Sequence, residues 1–334
     1  MAYIVFSVLG VMLCIFLNLL VIIVLLRKTD AINRLDLLMI SLAISDILRA
    51  VVGHSLEINS VHRGSSISDQ ECQIIGFATT FLGLVSISHL TGIAIQRHAI
   101  LQSPITARAW ITDTRIAWYV VIPSWLYGLF WSLAPLLGWS SYRPMSQESN
   151  LCGPLLNINS YENATGEYAA SYLVSLSVFC FIIPISIISA CCYFIYQSLK
   201  HMRQVSGLLG LSLAIHLARQ KLEEKQCIMG AVIIGAFLVA WSPYAVCVLI
   251  AAAGGTISST LLLTSAVFGK TSCLFNPIIY SFFVKDFRSK CQDMLQWKFL
   301  RTLIPALLSA DSSIKDNRKE NLGQNHSNVI STEV

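Results

Sequence analysis

A lone lysine stands inside an apolar stretch near the C-terminal end, Val267-Phe268-Gly269-Lys270-Thr271-Ser272-Cys273-Leu274-Phe275-Asn276-Pro277-Ile278-Ile279-Tyr280. The run around it, residues 261–284, is long enough to cross a bilayer at roughly 1.5 Å per helical residue. A Lys at the centre of such a helix costs about 2.5 to 3.5 kcal/mol on insertion scales, so it must face a protein interior, find a partner or lose its charge. Condensation with an aldehyde to a Schiff base achieves the last two together. Snorkelling to an interface is the bland alternative, and about ten apolar or small residues on each side oppose it.

Other polar groups sit where lipid would not tolerate them. Asn18 and Asp46 lie in the first two apolar runs, and with Asn276 they suit a hydrated polar network or a cation site. Glu57 follows Asp46 by eleven residues, about three turns at roughly 3.6 per turn, so both project from one helix face. Glu57 then either points inward with Asp46 or is solvated at the outer interface. Arg97-His98 closes the third run and Trp241-Ser242-Pro243-Tyr244 lies in the sixth, where a proline beside a large aromatic suits a two-state hinge. Trp125 and Pro135 in the fourth run and Pro184 in the fifth complete the set, the prolines leaving carbonyls free and kinking their helices.

The elements that must position these groups follow from composition. The chain has 334 residues, 55% hydrophobic and 12% charged, with a mean hydropathy of +0.65, against about 25% charged in soluble domains. This is an integral membrane protein, and a soluble enzyme is excluded. Apolar runs cover residues 3–26, 35–58, 72–96, 116–138, 168–197, 226–252 and 258–284. The expected fold is all-α, a seven-transmembrane helix bundle occupying residues 1–298, with a largely disordered cytoplasmic tail over 299–334. The first run lacks a basic n-region and a cleavage site and is too long for a signal peptide core, so it is read as a helix whose preceding N-terminus is either minimal or lost. After the last run, Phe283, Phe287 and Cys291 recur every four residues among charges, which predicts a short amphipathic helix along the inner leaflet. Cys291 there is a candidate for palmitoylation or a free cysteine.

Lys and Arg collect after the odd-numbered runs (Arg27, Lys28, Arg34; Arg97, Arg108, Arg115; Lys200, Arg203, Arg219, Lys221, Lys225; Lys285, Arg288, Lys290), whereas the opposite loops hold Arg63 and Arg143. The N-terminus is expected outside and the C-terminus inside a plasma membrane. That bias accounts for the net charge of +5 without nucleic acid. Most of the ten cysteines read as small buried hydrophobes. Cys72 and Cys152 fall on the outer side, where oxidising conditions permit a disulfide. The sequon at Asn163 lies in the same outer loop, while that at Asn325 falls in the tail. No metal site is expected.

Asn18, Asp46, Cys72 with Cys152, Arg97, Trp125, Pro184, Trp241-Ser242-Pro243 and Asn276-Pro277-Ile278-Ile279-Tyr280, spread over seven runs, resemble the landmarks of the rhodopsin-like G-protein-coupled receptors. Lys270 stands six residues before Asn276, where opsins attach retinal, so the chain resembles an opsin, of a non-visual, neuropsin-like branch. The resemblance implies a Schiff base between Lys270 and retinal, 11-cis in the dark and all-trans after light. It further implies that Trp241, Phe237 and Tyr244 pack on the polyene, and that helix 6 moves about Pro243 to admit a heterotrimeric G protein. Arg97 would pair with Glu223 in the dark, and Asp46, Asn276, Pro277 and Tyr280 would take part in activation. Arrestin and a receptor kinase would meet the tail, and membrane lipid the bundle.

Departures from that pattern bear on mechanism. Gln96 replaces the acid before Arg97, and Cys192 stands where a tyrosine is expected, with Tyr193 on another face. Ile75 and Met145 occupy the two familiar counterion positions. Either another carboxylate serves, Glu57 or Glu148, or the imine is uncharged in the dark and absorbs in the ultraviolet, because burial without an anion disfavours the charged form. The balance at the level of sequence lies toward the ultraviolet. Competing functions are a retinal photoisomerase or chromophore store that signals little, and a non-retinal receptor whose anionic ligand pairs with Lys270. A transporter or light-driven pump is opposed by Arg97, the Asn-Pro-x-x-Tyr motif and the lack of paired interrupted helices in two halves.

Overall fold

A computed structural model describes residues 2–27, 32, 34–63, 67–102, 114–146, 149–156, 164–206 and 213–283. The chain divides into two compact units, Met1–Phe283 and Val284–Val334; the second, which holds the expected amphipathic helix, Cys291 and the 298/299 boundary, lies outside the described residues. Among the described residues the first unit forms seven spans. The first is α1 (Ala2–Leu26). The second comprises α2 (Arg34–Leu48), a π-helical turn (Arg49–His54) and α3 (Ser55–Arg63). The third and fourth are α4 (Asp69–Gln102) and α5 (Arg115–Leu133). The fifth joins α6 (Ala164–Ser177), a second π turn (Val178–Ile182) and α7 (Ile183–Ser206). The sixth is α8 (Leu213–Ala252), and the seventh consists of α9 (Ser259–Lys270) and α10 (Ser272–Phe283), broken at Thr271.

Six of the described helices are long and apolar enough to cross a membrane unaided, so this is a multi-pass membrane protein. The second span differs because it carries Asp46, Arg49, His54 and Glu57, all buried, and is cut by the π turn. Helix starts follow local chemistry. Ser68 Oγ accepts from Glu71 N (3.3 Å) while Glu71 Oε2 accepts from Ser68 N (3.3 Å), a reciprocal capping box that opens α4. Gly254 (φ +76°) supplies the left-handed residue that ends the sixth span.

Several span ends depart from the sequence reading: the fifth span runs on to Ser206 and the sixth begins at Leu213, against 197 and 226, because polar residues beyond the apolar runs continue the helical winding. The fourth span stops at Leu133, two residues short of Pro135, which lies in a turn closed by Gly138 at φ +98°. The loop after the fourth span is a hairpin: β1 (Tyr142–Ser146) and β2 (Ser149–Pro154) pair antiparallel, with Pro144 opposite Cys152 and a bulge before Ser146. Tyr142 anchors this hairpin by donating to the Ser132 carbonyl (2.8 Å), one of the groups the early end of α5 leaves available. The fifth-span π turn leaves Phe179 O to accept from Tyr127 OH (2.7 Å), tying the fourth span to the fifth.

Candidate functional site

The second, third, fifth, sixth and seventh spans leave beneath the hairpin a mainly apolar cavity of about 960 Å³, mouth included. Phe237, Trp241 and Tyr244 all line it. Their spacing on α8 brings the rings into succession: Phe237 stacks on Trp241 (centroids 6.0 Å) and Trp241 meets Tyr244 edge-on (6.1 Å). Trp241 sits there because glycine faces it from two spans. A Cβ on Gly269 would come within 3.2 Å of its ring, and one on Gly83 within 3.7 Å. Its Nε1 donates to Ser272 Oγ (3.0 Å), just beyond the break in the seventh span.

Lys270, the last residue of α9, reaches the cavity wall with its side chain 18% exposed. Its Nζ donates to both carboxylate oxygens of Glu57, at 2.5 Å to Oε2, and the Glu57 side chain is 3% exposed. Of the two positions open to Glu57, the structure places it inward. The pair lies between the main cavity and a second one of about 570 Å³ lined by the first, second and seventh spans. His54 Nδ1 approaches Glu57 Oε2 at 3.7 Å. Ile75 is buried beside the Cys72–Cys152 disulfide, and Met145 lines the cavity roof. Glu148 lies outside the described residues.

A second polar centre lies deeper. Asp46 accepts from Asn276 Nδ2 (3.2 Å), Ser86 Oγ (3.2 Å) and Arg49 Nη2 (2.9 Å). The expected Asp46–Asn276 network is present, and its cation is the protein's own Arg49, 2% exposed, whose Nη2 also donates to Ser272 Oγ (3.4 Å). Sequence reasoning passed over Arg49, although an arginine in mid-span three residues from an aspartate is itself a signal. Asn18 enters at one remove, donating to the Cys273 carbonyl (3.1 Å). Pro277 has no N–H to offer that carbonyl four residues back, so Asn18 completes the seventh span from the first.

At the other end, Arg97 is half-buried beside the buried Gln96, and His98 contacts the Phe194 ring (5.4 Å). Tyr193 is 57% exposed, on the outer face as read from its register. Pro277 is buried within α10. The side chains of Glu223 and Tyr280 lie outside the described residues, as does Asn163.

Residues 17–280 match the family model described as 7 transmembrane receptor (rhodopsin family). Among curated proteins, "Visual pigment-like receptor peropsin" of Mus musculus is 31% identical over 266 residues, 77% of this chain and 74% of that protein. Pinopsin of Gallus gallus is 31% identical over 269 residues, 78% and 71% of the two chains. Melanopsin-B of Xenopus laevis is 32% identical over 255 residues, 75% of this chain; there the match spans about half the relative, 46%. The crystal structure of squid rhodopsin superposes with a TM-score of 0.77 over 88% of this chain and 84% of that one, at 24% identity, a likeness of fold.

Proposed function

This chain belongs to the rhodopsin family of seven-transmembrane receptors and is opsin-like within it, a receptor family rather than an enzyme family, and from that membership we propose that it is a light sensor. It binds retinal through a Schiff base at Lys270 and passes the signal to a heterotrimeric G protein. The observation that carries the reading is the placement of Lys270, an amine on the wall of an aromatic-lined apolar cavity with a buried carboxylate against it. Such a cavity takes a slender apolar ligand and fixes one end of it. When bound, retinal supplies a light-driven change of shape from 11-cis to all-trans.

The chain's own residues set the rest. Glu57 is the counterion: its two carboxylate oxygens accept from Nζ and balance a positive charge there. Ile75 and Met145 leave the two familiar positions uncharged, and the second span supplies the anion instead, which moves the expected dark absorption from the ultraviolet to the visible. Trp241, wedged between Gly83 and Gly269 and bonded to Ser272, cannot yield to a longer ligand without shifting the sixth span against the seventh. Pro243, two residues along α8, lacks the N–H that would continue the helical bonding, which makes it the natural hinge of that span. The basic residues after the odd-numbered spans orient the N-terminus outward, and the G protein meets the Arg97 end.

Reconstitution with 11-cis-retinal tests this reading. A visible band at neutral pH is expected, moved to the near ultraviolet by Glu57→Gln and abolished by Lys270→Ala, with borohydride fixing retinal to Lys270. A band that survives Lys270→Ala sinks the proposal. Gln96 beside Arg97 favours a second reading, a photoisomerase that signals little. Light-dependent nucleotide exchange on a G protein, present or absent, decides between the two.

A further inference from the structure

We propose that the cavity contains a second binding site, for a small monovalent anion of the halide class, held between the Arg49 guanidinium and the His54 imidazole. Arg49 is 2% exposed, yet only one of its three nitrogens, Nη2, is engaged; Nε and Nη1 are buried without an acceptor. His54 is 8% exposed, and its Nε2 is likewise buried without a partner. Both residues line the same cavity. Two buried guanidinium nitrogens that can only donate, and an imidazole nitrogen that donates in one of its two tautomers, belong to side chains lining one space; an acceptor there would satisfy them, and leaving them unsatisfied carries the full desolvation penalty.

The π turn brings the two side chains to this space. In α winding, five residues are about one and two-fifths turns at roughly 3.6 per turn, which sets Arg49 and His54 on different faces. The i→i+5 bonding of the π turn Arg49–His54 returns them to neighbouring positions. Room beside the guanidinium comes from Gly83, whose missing Cβ would lie 3.9 Å from Nη1.

The occupant follows from charge and size. No carboxylate is among the residues that line this cavity, and the two carboxylates nearest in the second span are committed, Asp46 to Arg49 Nη2 and Glu57 to Lys270. An apolar ligand brings no acceptor. A small anion offers several without a fixed geometry, and the weakly hydrated guanidinium suits a weakly hydrated ion. With its proton on Nε2 the His54 imidazole is the opposing donor, and the Arg49 guanidinium supplies the positive charge that faces the anion. The remaining wall, chiefly aromatic and aliphatic, excludes bulky polar anions.

The test uses the full, retinal-free chain in detergent, so its failure and the failure of the Lys270 reading are separate outcomes. Thermal unfolding is followed in sodium bromide against sodium gluconate at equal ionic strength. Binding to the folded state alone predicts a saturable rise of a few degrees in bromide. That rise is lost in Arg49→Met and in His54→Phe; the latter keeps the Arg49–Asp46 pair and decides the matter if Arg49→Met does not fold. Equal midpoints in bromide and gluconate overturn the site, as does a rise that persists in His54→Phe. In bromide-grown crystals an anomalous peak against Arg49 supports it, and a peak only elsewhere overturns it.

Discussion

Lys270 and Arg49 are each held inside the bundle against a carboxylate of the second span, and neither can lose its partner cheaply. Removing one member of a buried pair leaves an uncompensated charge, at about 3–5 kcal/mol, whereas replacing both by apolar or neutral groups is often close to neutral. Arg49→Met alone is therefore expected to lower the unfolding midpoint sharply, and Asp46→Asn in the same chain to recover most of the loss. A thermal double-mutant cycle measures this, and additive effects would show that the two charges do not depend on each other. Lys270 and Asp46 were legible in the sequence because a charge in an apolar run stands out. Glu57 was half legible: the eleven-residue spacing assumed unbroken α winding, but six of those residues form the π turn, which alters the phase. Periodicity is blind to such a turn, since it leaves no mark in residue type. The meeting of Glu57 with Lys270 joins residues 213 apart in the chain, so only packing reveals it.

The seventh span shows how one element is completed by another. Pro277 removes the amide that would reach the Cys273 carbonyl, and Asn18 of α1 donates to that carbonyl in its place (3.1 Å). In Asn18→Ala the carbonyl is left buried and unpaired, a loss of about 1–3 kcal/mol. In a Pro277→Ala background the helix supplies its own N–H, so Asn18→Ala is expected to lose much less. Thermal melts of the four chains decide it, and an equal loss in both backgrounds would mean Asn18 acts elsewhere. Helical elements of this kind were found because a bilayer demands long apolar runs, but their polar ends were not: the sixth span begins at Leu213 rather than 226, and the fifth continues to Ser206 rather than 197. The hairpin escaped because Pro144, Gly153 and Pro154 dilute any alternating pattern, and its pairing rests on Tyr142 and the disulfide rather than on strand propensity.

At the scale of the molecule, seven spans were countable from hydropathy alone, but the cavity was not, since it is the space left between spans that are distant in sequence. Its roof is the hairpin, with Met145, Cys152, Gly153 and Pro154 facing inward. The roof is fastened to the third span twice: by the Cys72–Cys152 bond, closing a separation of 80 residues, and by Arg143 Nη1 on Asp69 Oδ1 (2.8 Å). The ion pair is exposed and contributes at most about 1 kcal/mol. The disulfide carries the attachment, and losing a native one costs about 2–5 kcal/mol. If retinal occupies the space beneath as proposed, Cys72→Ser with Cys152→Ser should lower the melting temperature and let water-borne reagents reach Lys270. The dark pigment of that double variant is expected to bleach several-fold faster in hydroxylamine than the wild type, and Arg143→Ala about as slowly as the wild type. An unchanged bleaching rate in the double variant would place the way in between the spans, at the second cavity beside Glu57, rather than under the hairpin.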